Sequence, residues 1–366
     1  MTIVAAMENT LFEPGIYFGL PEKDYHADSS LGSHDLKDIV LDPVEFQHAR
    51  LHGGEPKETM ALKWGSAIHC RALEGRESFE ERFPIAPVMA DYGDALLVTM
   101  DQLRAHANLL GVKTGKTKEQ TIKAIRDFDT DVPIWDEIVA KFEADNLGKT
   151  IIPREALRQI EQACAWMQRD RYLSQVMEDG TITAGASEVS IFYEDNGVRL
   201  KARLDHLLSH AVVDLKSFRP IMAERKLAAA KRAVSRMRYD LQAAAYLRAL
   251  RAAAELFASG RVFNNPYDAS FLEAVFCALK VADTSPQSDD AMKWVWVMIK
   301  ASGAPQPVVA EFDLCSNIFR QAGAEIEDAI NIYRANVATF GLDREWAPDS
   351  VVQRWGDGDF TPWSFE

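Results

Sequence analysis

RLDHLLSHAVVDLKS, residues 203–217, decides how this chain reads. It closes one run, Val198–Leu208, in which polar and apolar residues alternate with the period of a half-buried strand, and continues into a short β-branched run, Ala211–Ser217. In the second run Asp214 and Lys216 are i and i+2, so they share one strand face while Leu215 points to the other. If Ser209-His210 is a two-residue hairpin loop, Leu208 pairs with Ala211 and Asp205 falls opposite Asp214. Upstream, Asn196-Gly197 is the strongest short hairpin signal in the sequence. It pairs Asp195 with Val198 and places Glu188 opposite Asp205. Glu188, Asp205 and Asp214 then form an acidic row across a three-stranded meander, with Lys216 beside it.

Like charges facing one another on a sheet are destabilising. A divalent cation between them offsets that cost, and hard oxygen ligands suit Mg²⁺ or Mn²⁺. On spacing alone a second reading stays open: the charged side of a meander is often only its solvated face, and a longer Ser-His turn would shift the register.

With 366 residues the chain can bury a full core, as one elaborated domain or two. Its hydrophobic content of 47% and charged content of 26% are those of an ordinary globular protein. No apolar run approaches membrane-spanning length, and the opening MTIVAAMENTLFEPG lacks a basic n-region. A cytoplasmic protein with no membrane partner is therefore expected. Cys70, Cys164, Cys277 and Cys315 are far apart in sequence and read as buried reduced thiols.

The net charge of −14 argues against indiscriminate coating of nucleic acid. Between Lys216 and Arg251, however, ten Lys and Arg, including Arg236 and Arg238, stand against two acids. Such a local surplus suits a polyanion-facing surface; the competing reading is a basic helix face balanced by acidic neighbours in the fold.

Residues 14–52 suggest a short strand and two capped helices, with Ser33 as an N-cap and Pro43 as a first-turn proline. A loop at 53–60 leads to a helix over Ala61–Glu74, whose small residues Gly65, Ser66 and Ala67 permit close packing and which carries His69. A lone helical histidine is more often a satisfied residue than a ligand. Residues 96–128 predict helix, Gly-containing turn, helix. Leu103, Leu110, Val112, Ile122 and Ile125 form a miniature core, and Lys113, Lys116 and Lys118 an exposed connection. This resembles a SAP-type DNA-binding module, the alternative being a plain helical hairpin. Further helices are expected at Trp135–Asp145 and Pro153–Met177. A long one follows over Ala223–Ser259, broken near Ser235, on which Tyr239, Gln242 and Tyr246 form one stripe. Strands at Phe271–Val281, Lys293–Lys300 and Val308–Leu314, a helix at Ile318–Val337 and an irregular tail with Trp346, Trp355 and Trp363 complete the reading.

The segments WGSAIH ending at His69, EVSIFY from Glu188, RLD ending at Asp205, VDLKS around Asp214 and Lys216, and YDLQAAAY from Tyr239 occur in the order that resembles the PD-(D/E)XK nuclease superfamily. Within it the chain is most similar to the RecE-type (exonuclease VIII-like) phage and prophage exonuclease domain, over most of residues 14–260. The resemblance implies an α/β core of helix, three-stranded antiparallel meander, helix and strand. It spans residues 1–90 and 151–366, with 91–150 as a helical insertion. It also implies a Mg²⁺-dependent exonuclease (Mn²⁺ substituting) that resects linear double-stranded DNA ends for recombination by single-strand annealing.

On that resemblance His69, Asp205, Asp214 and the Leu215 carbonyl hold metal. Lys216 positions the attacking water, Glu188 joins the acidic set, and Gln242 and Tyr246 supply the motif of the following helix. Asp214 stands where many relatives have Glu. Implied partners are duplex DNA ends, a single-strand annealing protein and further copies of the chain; the setting is the cytoplasm of a bacterial host. DNA contacts are expected from Lys113, Lys116, Lys118, Arg236 and Arg238. Competing readings are a PD-(D/E)XK endonuclease, an iron–sulfur relative and a non-catalytic DNA-binding recombination scaffold.

Overall fold

The computed structural model describes residues 11–53 and 59–347. In chain order it forms β1 (Gly15–Tyr17), α1 (Glu22–Ala27), α2 (Ser33–Leu41), α3 (Pro43–His52), α4 (Met60–His69), α5 (Arg76–Arg82), α6 (Met100–Leu109), α7 (Lys118–Arg126), α8 (Trp135–Asp145) and α9 (Arg154–Arg169). A two-stranded ribbon, β2 (Met177–Glu178) and β3 (Thr181–Ile182), precedes the meander of β4 (Ala186–Asp195), β5 (Val198–Leu207) and β6 (Ala211–Phe218). Then come α10 (Lys226–Met237), α11 (Tyr239–Ala258), β7 (Val262–Phe263), α12 (Ala269–Thr284), β8 (Lys293–Lys300), β9 (Pro307–Phe312) and α13 (Asn317–Phe340).

Seven strands build one mixed sheet in the order β7-β1-β4-β5-β6-β8-β9. The meander is antiparallel, β8 runs parallel to β6 along its whole length, and β9 returns antiparallel at the edge. Helices cover both faces, which is why alternate residues of the central strands are buried in different cores. On one side Leu200, Leu204, Val212 and Trp294 pack with α2, α11, α12 and α13. On the other, Val213, Leu215 and Val297 pack with α4 and α9. Each fully buried Leu, Ile or Val contributes roughly 1.5–3 kcal/mol, so the register of these strands is fixed by two faces at once.

Several expectations are corrected here. Residues 271–281 are helical, not a strand. The Asp268 carboxylate caps α12 by accepting from Ser270 N at 2.9 Å, and the buried Leu272, Val275, Phe276 and Leu279 recur at helical spacing that the β-branched content masked. The same error explains Cys277, expected buried and found exposed on the outer side of this helix; Cys315 is only half-buried. Gly32, not Ser33, caps α2, with the Asp35 carboxylate accepting from Gly32 N. The break in the long basic helix falls at Arg238, in the left-handed region (φ 54°), rather than near Ser235. The helix bearing His69 widens into a π-turn over Cys70–Glu74, and the helix expected over 153–177 stops at Arg169. Trp346 is fully buried; Trp355, Trp363 and residues 54–58 of the expected loop lie outside the described residues.

The start of β4 has no room for a side chain at Gly185. It sits at φ +86°, and a Cβ there would lie 2.3 Å from the Leu207 carbonyl oxygen. Gly185→Ala is expected to lower unfolding stability by about 2–4 kcal/mol, through left-handed strain plus the forced separation of β4 from β5. Urea denaturation checks this; a loss below about 0.5 kcal/mol would contradict the close approach.

Candidate active site

The expected hairpin registers are observed. Asp195 pairs with Val198, and Leu208 N donates to Ala211 O at 2.8 Å across a two-residue Ser209-His210 loop. The regular acidic row is not. The β4–β5 ladder is interrupted where Glu188, at φ +55°, stands opposite Asp205. The β5–β6 ladder holds only at His206–Val213 and Leu207–Val212. Beyond these two pairs the Asp205 carboxylate accepts the Leu215 N–H at 2.8 Å, taking the place of a strand-to-strand bond. The sheet thus splits between β5 and β6 at the two aspartates.

Lys216 fills the split. Its Nζ donates to Asp214 Oδ1 at 2.6 Å, lies 3.7 Å from Asp205 Oδ2 and sits 5.3 Å over the Tyr239 ring. His69 arrives from the end of α4, its Nδ1 3.7 Å from Asp205 Oδ2. Gln242, on the first turn of α11, donates to Asp214 Oδ1 at 3.4 Å, and Tyr246 one turn further along lines the cleft. The break at Arg238 starts α11 beside Lys216, so the stripe Tyr239, Gln242 and Tyr246 faces the site rather than only the core.

Charge explains the protonation states. Burial works against the Lys216 ammonium, but Asp205 and Asp214 outweigh it and hold its pKa well above the lysine range. Burial pushes the Asp214 carboxyl up to about 7, with Lys216 opposing and Asp205 reinforcing. Glu188 is raised to about 7 by burial and then Asp205, against the pull of Arg203. Burial lowers the pKa of His69, with Asp205 opposing, and so favours the neutral imidazole whose lone pair can bind metal.

Three carboxylates against the two cations Lys216 and Arg203 leave room for further positive charge. One buried carboxylate oxygen has no hydrogen-bond partner among the described residues: Asp214 Oδ2. An orphaned carboxylate oxygen beside a second carboxylate, a backbone carbonyl and a neutral imidazole fits a hard divalent cation held by His69, Asp205, Asp214 and Leu215. The site opens into a cleft of about 910 Å³ lined by α4 and by the N-terminal segment Gly19–His26.

Arg203, at this site, was missed by sequence reasoning. It binds the Glu188 carboxylate, donates to Leu20 O at 2.8 Å and Ser190 Oγ at 3.1 Å, and stacks over Tyr25. Its position two residues before Asp205 was the available signal, since i and i+2 share a strand face. Of the expected DNA contacts, Lys113, Lys116 and Arg236 are exposed, whereas Lys118 pairs with Asp136 at 2.7 Å and Arg238 with Asp240 and Glu325 at 3.0 and 2.7 Å. Arg232, Arg248 and Arg251 are likewise held by acidic partners, so much of the basic surplus on α10 and α11 is balanced within the fold. Among the described residues no three cysteines gather around a common centre, as an iron–sulfur cluster requires.

Residues 34–258 match the model of a family described as a PDDEXK-like domain of unknown function, DUF3799. No curated protein matches the chain. Among solved structures, a protein from Eubacterium rectale described as a "Putative exonuclease" aligns over 68% of this chain and 87% of its own. It does so at 12% identity and a TM-score of 0.30, too loose a likeness to place any residue.

The raised Asp214 carboxyl makes stability pH-dependent. The unfolded chain releases this proton near the ordinary value of 3.8 and the folded chain, free of metal, near 7. In that window the native state holds the extra proton, so its stability falls as pH rises. The stability of the parent relative to Asp214→Asn is therefore expected to decline from about pH 4 to about pH 7 in chelator and to level off above. Urea unfolding across pH measures it; a gap constant through the window contradicts the assignment.

Proposed function

The chain belongs to the family of PDDEXK-like domains, and from that premise we propose that it is a metal-dependent exonuclease that resects linear double-stranded DNA ends for recombination by single-strand annealing. The observation that carries the reading is the convergence of Asp205, Asp214 and Lys216 at the split in the sheet, with Asp214 Oδ2 left without a partner. Mg²⁺, with Mn²⁺ as substitute, is the proposed cofactor. When bound it supplies Lewis acidity and a water that ionises near neutral pH.

The chain's own residues do the rest. His69, Asp205, Asp214 and the Leu215 carbonyl would hold the ion. Lys216, kept protonated, orients the attacking water and stabilises charge on the phosphate oxygens; it is not a free base. Gln242 fixes the Asp214 carboxylate from one side, while Tyr239 supports the ammonium from the other. Arg203 restrains Glu188, whose raised pKa lets it carry a proton at the cleft. The cleft between α4 and the N-terminal segment receives the DNA end. The proposed setting is the cytoplasm of a bacterial host, with a single-strand annealing protein and further copies of the chain as partners.

Linear duplex DNA should be degraded only with Mg²⁺ or Mn²⁺, and closed circular DNA left intact. Asp214→Asn and Lys216→Met should each lower the rate by roughly 10²–10³-fold or more with the circular dichroism spectrum unchanged. Undiminished cleavage by either variant sinks the site. Cleavage of circles sinks the exonuclease reading and favours an endonuclease on the same core.

The helical hairpin at residues 96–128 is proposed to grip duplex DNA. Support comes from its small core, in which Leu97, Leu103, Ala107, Ile122 and Ile125 are buried together with Val132 and Ile134 of the segment that follows, and from the exposed Lys113 and Lys116 on its connection. Phosphate contacts release counterions, so binding should weaken steeply with salt. Replacing Lys113, Lys116 and Lys118 with Ala should raise the DNA concentration for half-maximal rate and flatten its salt dependence, leaving the saturated rate unchanged. Parent-like binding across a salt series makes the hairpin structural.

A further inference from the structure

A second cluster of potential ligands lies on α3, contributed in part by the segment that follows α13. His48 and His52 are one helical turn apart, so their rings share a face. Glu345 is brought against them: its Oε1 lies 2.9 Å from His48 Nδ1 and 2.7 Å from His52 Nε2. The three ligand atoms all fall within 4.8 Å of one another, and among the described residues no other group of His, Cys, Asp or Glu does so.

The cluster is built rather than accidental. Gln47, fully buried immediately before His48, donates from Nε2 to the carbonyls of Leu342 and Arg344 at 2.8 and 3.0 Å. Trp346 is fully buried on the other side of Glu345, against Phe46 and Tyr333, and donates to Gly341 O at 3.0 Å. Glu345 is thus held from both flanks, while the three ligands stay open to solvent at 56%, 58% and 40% exposure. Arg50, the cation between the histidines on α3, is turned away toward the Tyr333 hydroxyl, 3.4 Å from it.

We infer that His48, His52 and Glu345 form a binding site for a borderline divalent cation of the Zn²⁺ type, separate from the cleft, that latches the segment after α13 onto α3. Two imidazoles and a carboxylate are the donor set such an ion prefers, whereas the oxygen-rich cleft suits Mg²⁺ or Mn²⁺. Ligands about 2.1 Å from a tetrahedral ion stand about 3.4 Å apart, so the observed 2.7 and 2.9 Å separations need to widen by only about 0.6 Å. Rotations of three solvent-facing side chains supply that, and water completes the coordination. Because the ion would bridge α3 and the last described segment, it would bind the native state alone and stabilise it.

The test is a titration of the untagged full-length protein with Zn²⁺ against a chromogenic chelator, with thermal unfolding in parallel. Asp214→Asn protein, its cleft impaired, should still bind one equivalent of Zn²⁺ and melt at a higher temperature with it. Adding His48→Gln and His52→Gln to that background should weaken the binding by about 100-fold or more and abolish the shift; Glu345→Gln should weaken it by about 10-fold or more. X-ray absorption of the zinc-loaded Asp214→Asn protein should show two imidazole ligands. Equal Zn²⁺ binding with and without the histidines, or no binding by the Asp214→Asn protein at 100-fold excess of metal over protein, overturns the inference. His48 and His52 are largely solvent-exposed and Glu345 partly so, and circular dichroism of each variant, the buried Asp214→Asn background included, verifies that it is folded.

Discussion

The bond from the Leu215 N–H to the Asp205 carboxylate is the constraint on which the site depends. A strand that gives its backbone donor to a side chain cannot give it to its neighbour. The β5–β6 ladder therefore ends after two residue pairs, while β6 remains fully paired with β8 on its other edge. A continuous sheet would bury two aspartates face to face at the cost of their repulsion. The split instead separates the backbones enough for a lysine side chain to stand between them and for groups from helices on either face to reach in. His69 comes from the α4 side and Gln242 from the α11 side.

Holding so much charge in a buried place requires rigid support. Lys216 is braced by Asp214, Asp205 and the Tyr239 ring; Glu188, in a left-handed conformation, is tied down by Arg203. Arg203 in turn fastens the N-terminal segment to the sheet through Leu20 O and the Tyr25 ring. Arg238 uses its pairs with Asp240 and Glu325 to sustain the left-handed break that aims α11. Several arginines that read as a polyanion surface are therefore internal fastenings, and the charge at the centre of the molecule is offset nearly residue by residue. What is left uncompensated is one carboxylate oxygen, at the point where a cation would complete the set.

Local pattern carried much of the fold. The Asn196-Gly197 and Ser209-His210 turns, read with two-residue alternation, set the meander and its register, because a slip of one residue would turn every apolar side chain of a strand buried on both faces into the wrong core. The helical hairpin at 96–128 and the helix Trp135–Asp145 were equally legible, since caps and helical spacing are local signals. Residues 271–281 were not: Val, Phe and Leu in a short apolar run satisfy both periods, and the Asp268 cap together with packing against the sheet selects the helix.

By itself the sequence determined which side chains could share a face: Asp214 with Lys216, Glu188 opposite Asp205, and the stripe Tyr239, Gln242, Tyr246. These follow from strand and helix periods, which do not depend on distant residues. Tertiary structure alone decided that the acidic row would break, with Asp205 bonding the Leu215 backbone and Glu188 paired with Arg203. It also chose which arginines would be neutralised and brought Glu345 back to His48 and His52 across nearly three hundred residues. Those outcomes rest on contacts between segments remote in the chain, where each group's partner is set by how whole helices pack on the sheet and leaves no periodic trace in the sequence.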